Sequence, residues 1–523
     1  MPTIEQPLAA ATERSDYSID LFMNDKRKSN DNIKKARKRA KTSRVPIMSI
    51  DKQHPLGIQP VGNLILSSDA TAVEQRSRDM RAVNLGAFSV LPDEILNLVL
   101  QTLGAKELRT LGYCSRVFSA FATQDDLWKQ LFVSQGKAPG KWYGTWRRTY
   151  YKIYEDQEAC LRCDGFYSDT LYRPFFCTNM RSTDYIRDCL KEFSADKLQI
   201  PHLDISPSQE EFDSEWAYKP FILTSHKWPS WSFSDLVKSY GDLEFIQECV
   251  RWRLDVYAQY MSSNQDESPL YLFDREFGDK TSMASEYETP SLFDSDYLTL
   301  LKDIRPDYRW IIIGPERSGS TFHKDPNATS AWNAVIQGSK YWVMFPPDVL
   351  PPGVYTSADE SSVTSPLSIA EWLAEFHKTA LTMPDFKHGV CGPGEMLHVP
   401  SGWWHLVVNL EDTIAITQNF VPFSHIMSVL CFFHNKKDQI SGFRKKIDCN
   451  ADDDENESPN EDVLTAFIDK LTGEESKLTD GMIEKIKNWA QSLEMSYWDK
   501  LVDAKESGFS FGFGFDEDED EDN

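Results

Sequence analysis

Two short stretches of this chain carry residues whose types and spacing could do chemistry. The first, TFHKDPNATSAWNAVIQGSKYW, runs from Thr321 to Trp342 and sets His323 and Asp325 two residues apart. In a β-strand residues i and i+2 share a face, so both could reach one ion while Lys324 points away, with Pro326 ending the strand. One imidazole and one carboxylate are two ligands, and two do not make a site; alone, the pair reads equally well as a strand's polar edge. The chain has ten histidines, so the search for a third ligand is short. His405, in PSGWWHLVVNLEDTIAITQNF, heads another β-rich run just after a Pro-Ser-Gly turn. Two imidazoles and a carboxylate on adjacent strands form a facial triad, which suits Fe(II) and leaves coordination positions open. A structural zinc site would instead be closed by a fourth protein ligand.

The polar residues around these stretches fit a dicarboxylate. Lys340 heads KYWVMFP, a run otherwise made of large apolar side chains. In TIAITQNFV the face carrying Thr413, Ala415, Thr417 and Asn419 is small and polar, and Ile414, Ile416 and Phe420 alternate with it. A buried carboxylate needs a cation and hydrogen-bond donors to offset its desolvation. Lys340 and Thr417 could supply both for the distal carboxylate of 2-oxoglutarate, whose other end would chelate the iron.

These residues must be positioned by a larger body. The chain has 523 residues, too many for one ordinary core, and 41% hydrophobic content with fifteen tryptophans is ample for globular packing. The net charge of −25 is unevenly placed: Lys26 to Arg44 is strongly basic, while Asp452 to Asp462 and Asp516 to Asp522 are acidic, which argues against a protein that coats nucleic acid throughout. No apolar run has the length of a signal-peptide core or approaches the roughly 18 residues of a membrane span, so a soluble intracellular protein without a membrane partner is expected. Nine cysteines in so long a chain point to reduced thiols. Cys160 and Cys163 form a C-x-x-C with no second close pair, a poor zinc site.

Texture divides the chain further. Residues 1–85 are polar with little periodicity and are expected to be disordered. Within them KRKSNDNIKKARKRAK, Lys26 to Lys41, reads as a bipartite nuclear import signal or as a basic arm that touches nucleic acid. Residues 86–135 carry three expected short helices. Pro92, Asp93 and Glu94 open the first, whose apolar face is Ile95, Leu96, Val99, Leu100 and Leu103. Leu108, Leu111, Cys114, Phe118 and Phe121 mark the second, and Leu127, Trp128, Leu131 and Phe132 the third. Residues 136–276 mix aromatic and helical pieces. Residues 277–441 turn to short β-rich runs, RWIIIGP, KYWVMFP, HLVVNL and TIAITQNFV, which suggest an antiparallel sandwich or barrel. An acidic linker (442–462), a helical appendix (463–507) and an acidic, disordered tail (508–523) follow.

The order that begins LPDEIL and closes DDLWKQLF resembles the F-box, a helical module that docks to the adaptor of a cullin-type ubiquitin ligase. GPERSGSTFHKDPNATSAWNAVIQGSKYWVMFP, with PGEMLHVPSGWWHLVVNLEDTIAITQNFV, resembles the Jumonji C (JmjC) oxygenases. Their phosphatidylserine-receptor-like branch, which includes the bifunctional arginine demethylase and lysyl hydroxylase, is the most similar. The resemblance implies an α+β chain: a double-stranded β-helix (jelly-roll or cupin) core, an N-terminal three-helix F-box, surrounding helices and a C-terminal helical appendix. It implies His323, Asp325 and His405 as iron ligands, and Lys340 and Thr417 as the grip on 2-oxoglutarate. Asn333 would lie near co-substrate and iron, Tyr271 would line the same pocket and Trp310 would face it. The implied activity is Fe(II)-, O2- and 2-oxoglutarate-dependent hydroxylation of a protein side chain, lysine first, in a nuclear protein coupled to a ubiquitin ligase. The alternatives are an F-box substrate receptor whose JmjC domain only recognises its target, and a histone N-methyl demethylase.

Overall fold

The computed structural model describes residues 48–157, 160–192, 198–224, 226–443, 461–473 and 478–494. The chain divides into two units, Met1–Pro46 and Ile47–Asn523. The first unit, with its basic clusters, lies outside the described residues, as do Asn450 to Asn460 and the acidic tail.

Residues 48–85, assigned by composition to a disordered arm, are folded from Met48 onward. The helix Ala70–Leu85 leads into the F-box-like region and buries Leu85, while Ile58 is buried further upstream. The Val61 amide donates to Asp169 Oδ1 at 2.8 Å, and the Arg81 guanidinium bonds Asp93 and the Ser89 and Leu91 carbonyls. Polar side chains here find partners in later parts of the chain, which a composition-based reading cannot register.

Four helices stand where three were expected: Asp93–Gln101, Ala105–Gly112, Arg116–Ala122 and Asp125–Val133. The expected second helix is broken at Ser115, whose extended backbone ends one helix and whose hydroxyl accepts the Phe118 N–H at 3.1 Å to start the next. The first helix is apolar on two sides. Leu96 and Leu100 are buried, but Ile95, Leu98 and Val99 face solvent together with Phe88 and Val90. A nine-residue helix is marginal alone, and this one is held through Leu96 and Leu100. Trp146 joins the F-box-like helices to the oxygenase part. Its indole N–H meets both Asp266 carboxylate oxygens at 3.0 Å, Tyr260 donates to Asp266 at 2.7 Å, and Lys129 of the fourth helix sits 3.5 Å from the same carboxylate. Phe132, Trp142, Trp146, Trp252 and Tyr260 form one aromatic core around this junction.

The strands, in chain order, are β1 (His202–Leu203), β2 (Phe221–Leu223), β3 (Glu244–Gln247), β4 (Val250–Arg253), β5 (Leu272–Asp274), β6 (Arg309–Gly314), β7 (Gly319–His323) and β8 (Ser330–Gln337). They continue with β9 (Lys340–Phe345), β10 (Tyr355–Thr356), β11 (Val363–Thr364), β12 (Lys387–Cys391), β13 (Met396–Val399), β14 (Trp404–Asn409) and β15 (Thr413–Phe420). A nine-stranded sheet runs β1-β2-β13-β8-β15-β6-β5-β3-β4, and a four-stranded sheet runs β12-β9-β14-β7; β10 and β11 pair with each other. Every pairing is antiparallel except β1 with β2. This is the expected double-stranded β-helix, wrapped in helices.

Strands β1 to β5 extend the large sheet back to His202, before the expected start of the β-rich domain at residue 277. At two to four residues each they are too short to reveal alternation. Between the sheets lie Val335, Trp342, Met344, Leu397, Val399 and Val407. Trp332, Ala334, Ile416 and Phe420 face outward on the large sheet, under Phe212 and Phe293. The other side of the small sheet packs Tyr341, Val343, Phe345 and Leu406 against Trp372 and Leu373. Strands β9, β14 and β15 are therefore buried on both faces.

The C-terminal helices Glu461–Thr472 and Asp480–Glu494 place Val463, Phe467, Leu471 and Ile486 against Leu298, Val429 and Phe433. Their apolar face is closed by the oxygenase core. No single helix among the described residues is long and apolar enough to cross a membrane.

Candidate metal centre and co-substrate cleft

Pairing of β7 with β14 sets His323 directly opposite His405, and a register shift between His405 and Val407 follows immediately. The two rings lie 4.1 Å apart between centroids. Asp325 is not a strand residue, contrary to the i, i+2 expectation. β7 ends at His323, and Asp325 has the extended backbone (φ −61°, ψ 146°) that leads into the turn Pro326–Ala328. Chain reversal, not strand alternation, brings its carboxylate to the histidines. One nitrogen or oxygen from each of His323, Asp325 and His405 falls within 4.8 Å of the others.

The local hydrogen bonds orient both imidazoles. His323 Nδ1 meets the Thr321 carbonyl at 2.8 Å and His405 Nδ1 meets the Trp403 carbonyl at 3.1 Å. A carbonyl only accepts, so each Nδ1 carries a proton, and in a neutral ring the lone pair left for a metal is on Nε2. Burial, with His323 alongside, pushes the His405 pKa well down, keeping that ring neutral. Burial raises the Asp325 pKa, while His323 and the Asn419 amide pull it the other way. Asp325 Oδ2 is buried without a hydrogen-bond partner, and so is Asn333 Oδ1. Orphaned buried oxygens are expensive, and a divalent cation bound by Asp325 and two neutral imidazoles would relieve that of Asp325. The donor set fits Fe(II) with three protein ligands and open positions.

Lys340 begins β9 opposite Asn409 of β14 and is fully buried. Its ammonium donates to Asn409 Oδ1 at 3.0 Å and to the Tyr271 hydroxyl. Asn409 in turn donates to Ser318 Oγ at 2.9 Å, and Ser318 to the Pro315 carbonyl at 2.6 Å. No ion pair reaches Lys340 among the described residues, and desolvation lowers its pKa from 10.5 to about 7. A buried lysine held only by neutral oxygens has the chemistry to receive an anion.

Register on the large sheet aligns three more of the expected residues. Thr417 of β15 pairs with Trp310 of β6 on one side and Asn333 of β8 on the other. Asn333 is buried; Trp310 is half-buried and packs on Phe273, with ring centroids 5.3 Å apart. The Thr417 hydroxyl donates to the Trp332 carbonyl at 2.9 Å, so to donate to a ligand it gives up that bond by turning its O–H about Cβ–Oγ1. Tyr271 and Trp310 line a cavity of about 760 Å³ together with His323, Ser320 and Glu248. Gly314 makes room for the Tyr271 ring, which lies 2.6 Å from where a Cβ would stand.

Asn409, Ser318 and Glu248 escaped the sequence reading. Asn409 was within reach of it, since His405, Val407 and Asn409 occupy one face of a single strand. Ser318 and Glu248 lie in turns, where no periodicity reports their direction.

The comparisons agree with this geometry. A cupin-like domain model matches residues 237–426 and an F-box-like model matches residues 88–134. The arginine-specific demethylase JMJ22 of Arabidopsis thaliana is 39% identical over 406 residues, covering 74% of this chain and 77% of that protein. The lysine-specific demethylase JMJ21 of the same plant is 33% identical over 430 residues, 76% of this chain but 44% of its own length. The bifunctional arginine demethylase and lysyl-hydroxylase psr-1 of Caenorhabditis elegans is 37% identical over 235 residues, 40% of this chain and 58% of its own. With a helical module at its N-terminal side, a jelly-roll core and extended similarity to JmjC proteins on both counts, the chain belongs to the F-box-containing JmjC oxygenases, enzymes dependent on iron and 2-oxoglutarate.

Proposed function

We propose that the protein hydroxylates a protein side chain, with lysine the first target. The observation that carries this reading is the juxtaposition of His323, Asp325 and His405, within 4.8 Å of one another, with the buried Lys340, which makes no ion pair among the described residues. In this reading the two Nε2 atoms and the Asp325 carboxylate hold Fe(II). Bound there, Fe(II) supplies activation of O2 coupled to conversion of 2-oxoglutarate to succinate and carbon dioxide, with oxidation of a substrate C–H bond. Lys340 binds the distal carboxylate of 2-oxoglutarate, with Tyr271 and Asn409 orienting its ammonium and Thr417 turning to donate beside it. Asn333 offers its amide on the wall between co-substrate and metal, and Trp310 shields the cleft from water.

A second reading, removal of an N-methyl group from arginine, is favoured by the similarity to JMJ22. It uses the same residues and differs in its product, because hydroxylation of an N-methyl carbon releases formaldehyde. The apolar surface of Phe88, Val90, Ile95, Leu98 and Val99 supports docking of a ubiquitin-ligase adaptor, which would place a captured substrate beside that machinery. The basic clusters of Lys26 to Lys41 support nuclear import.

The test is succinate release by the purified full chain with Fe(II), ascorbate and 2-oxoglutarate, with peptide products read by mass spectrometry. A gain of one oxygen on lysine, abolished by His323→Ala, is the expected result. Formaldehyde release from methylarginine peptides would move the assignment to demethylation. Equal succinate from wild type and His323→Ala would end the oxygenase assignment of this site.

A further inference from the structure

The cleft that contains His323 is lined by four charged side chains besides, and three of them are already engaged. Glu267 pairs with Arg173, Arg275 pairs with Asp307 at 2.6 Å, and Arg317 donates to the Asp266 carbonyl at 2.9 Å. Glu248 is the exception. It makes no ion pair among the described residues, and its one hydrogen bond is accepted by Oε1 from the Tyr271 amide at 3.1 Å. Lys129 acts on it electrostatically, but that ammonium is directed to Asp266, at 3.5 Å.

The backbone adds a second observation. Glu248 occupies the turn between β3 and β4 with φ +49°, a left-handed conformation that glycine would adopt at lower cost. The two-residue hairpin closed by Gln247 and Val250 demands that conformation at its first central position, and holding a non-glycine there costs on the order of 1 kcal/mol. The Tyr271 amide supplies the direction. It ties the carboxylate to the backbone of the residue whose hydroxyl touches Lys340, and Glu248 and Tyr271 line the cleft together. Beside it run Ile246, Phe273, Trp310, Leu367 and Ile369, an apolar wall suited to a methylene stem.

We infer that Glu248 is the specificity-determining residue of the cleft: its carboxylate receives the cationic head of the substrate side chain while the stem lies along Phe273 and Trp310. This rests on the proposed reading of a cationic target, and it adds the residue that reads the charge. A neutral isostere of lysine fills the same wall but leaves the carboxylate unpaired.

The test uses the full chain with Mn(II) and 2-oxoglutarate, and measures binding of peptides in one neutral glycine-serine-alanine background. The central residue is lysine, arginine, acetyl-lysine or norleucine. A charge-assisted hydrogen bond at a cleft wall predicts that wild type binds lysine about tenfold or more tighter than norleucine. Glu248→Gln closes that gap, Glu248→Lys inverts it, and Glu248→Asp, which restores the charge, retains part of it. Equal affinity of wild type for lysine and norleucine, or an undiminished gap in Glu248→Gln, overturns the inference. Succinate release by iron-loaded wild type is measured on the same preparation. Its absence would count against the oxygenase reading and leave the binding gap to decide on Glu248.

Discussion

Replacing Lys340 by methionine should stabilise the ligand-free protein while removing its co-substrate affinity. The ammonium is fully buried with no ion pair among the described residues, and its pKa falls from 10.5 to about 7. That depression corresponds to about 4 kcal/mol against the charged form at neutral pH. Methionine of similar length removes this term. It also removes donors from Asn409 Oδ1 and the Tyr271 hydroxyl, at a cost of about 1–3 kcal/mol, reduced because those two side chains already interact with each other. The net expectation is a gain of about 1–3 kcal/mol at pH 7, seen as a rise of a few degrees in Tm for the metal-free protein. The sign of the pH dependence follows from the lowered pKa. Unfolding lets Lys340 take up a proton, so wild type is penalised fully below pH 7 and the penalty disappears as pH rises through 10.5, where the variant's gain should vanish and its lost hydrogen bonds should leave wild type the more stable. Binding runs the opposite way. A carboxylate pairs with the ammonium alone, so wild-type affinity for 2-oxoglutarate should weaken by up to about tenfold per pH unit above 7, and Lys340→Met should lose about a hundredfold or more. Thermal melting at pH 7 and 10, with calorimetric titration of 2-oxoglutarate in the presence of Mn(II), measures both. A lower Tm for the variant at pH 7, or a Kd within a few fold of wild type, would refute the argument.

Three other substitutions probe different parts of the molecule. Gly319→Ala would set a Cβ 2.0 Å from the Val407 carbonyl oxygen, forcing β7 from β14; we expect a loss of about 2 kcal/mol or more in urea unfolding, together with loss of metal affinity because His323 and His405 face each other across that pair. Leu98→Asp changes a side chain that is 57% exposed, so stability should move by only about 0.5 kcal/mol, while pull-down of a cullin-ligase adaptor should drop at least tenfold; unchanged capture would count against this docking face. Phe467→Ala removes a fully buried ring between the C-terminal helices and Phe433, and should cost about 3–5 kcal/mol, read as early loss of hydrogen-exchange protection in the helix Ile426–Asn435.

The F-box-like helices are not tethered by a loose linker within the described residues. Asp266 is bonded by Trp146, Tyr260 and the Arg317 side chain through its carboxylate or carbonyl, and Lys129 of the F-box-like region lies against it. The same Arg317 lines the cleft. These contacts join the wall of the cleft to the body that carries Ile95, Leu98 and Val99.

What the sequence determined by itself was chemical identity. The types of His323, Asp325, His405 and Lys340, a β-rich setting for three of them and the run from Pro92 to Phe132 were enough to name a metal, a co-substrate and a helical module, because ligand preference and strand periodicity are local properties. The tertiary structure decided which atoms meet. Asp325 reaches the centre through a turn that no period-2 pattern describes, and Ile95 and Val99 face solvent although they share an apolar pattern with buried Leu96 and Leu100. The low pKa of Lys340 comes from its burial, and the Asn409 and Tyr271 oxygens that hold it lie 69 residues away in opposite directions along the chain. Desolvation and the closing of such distant pairs are properties of the packed interior, where the surroundings of a side chain are set by elements that sequence spacing does not encode.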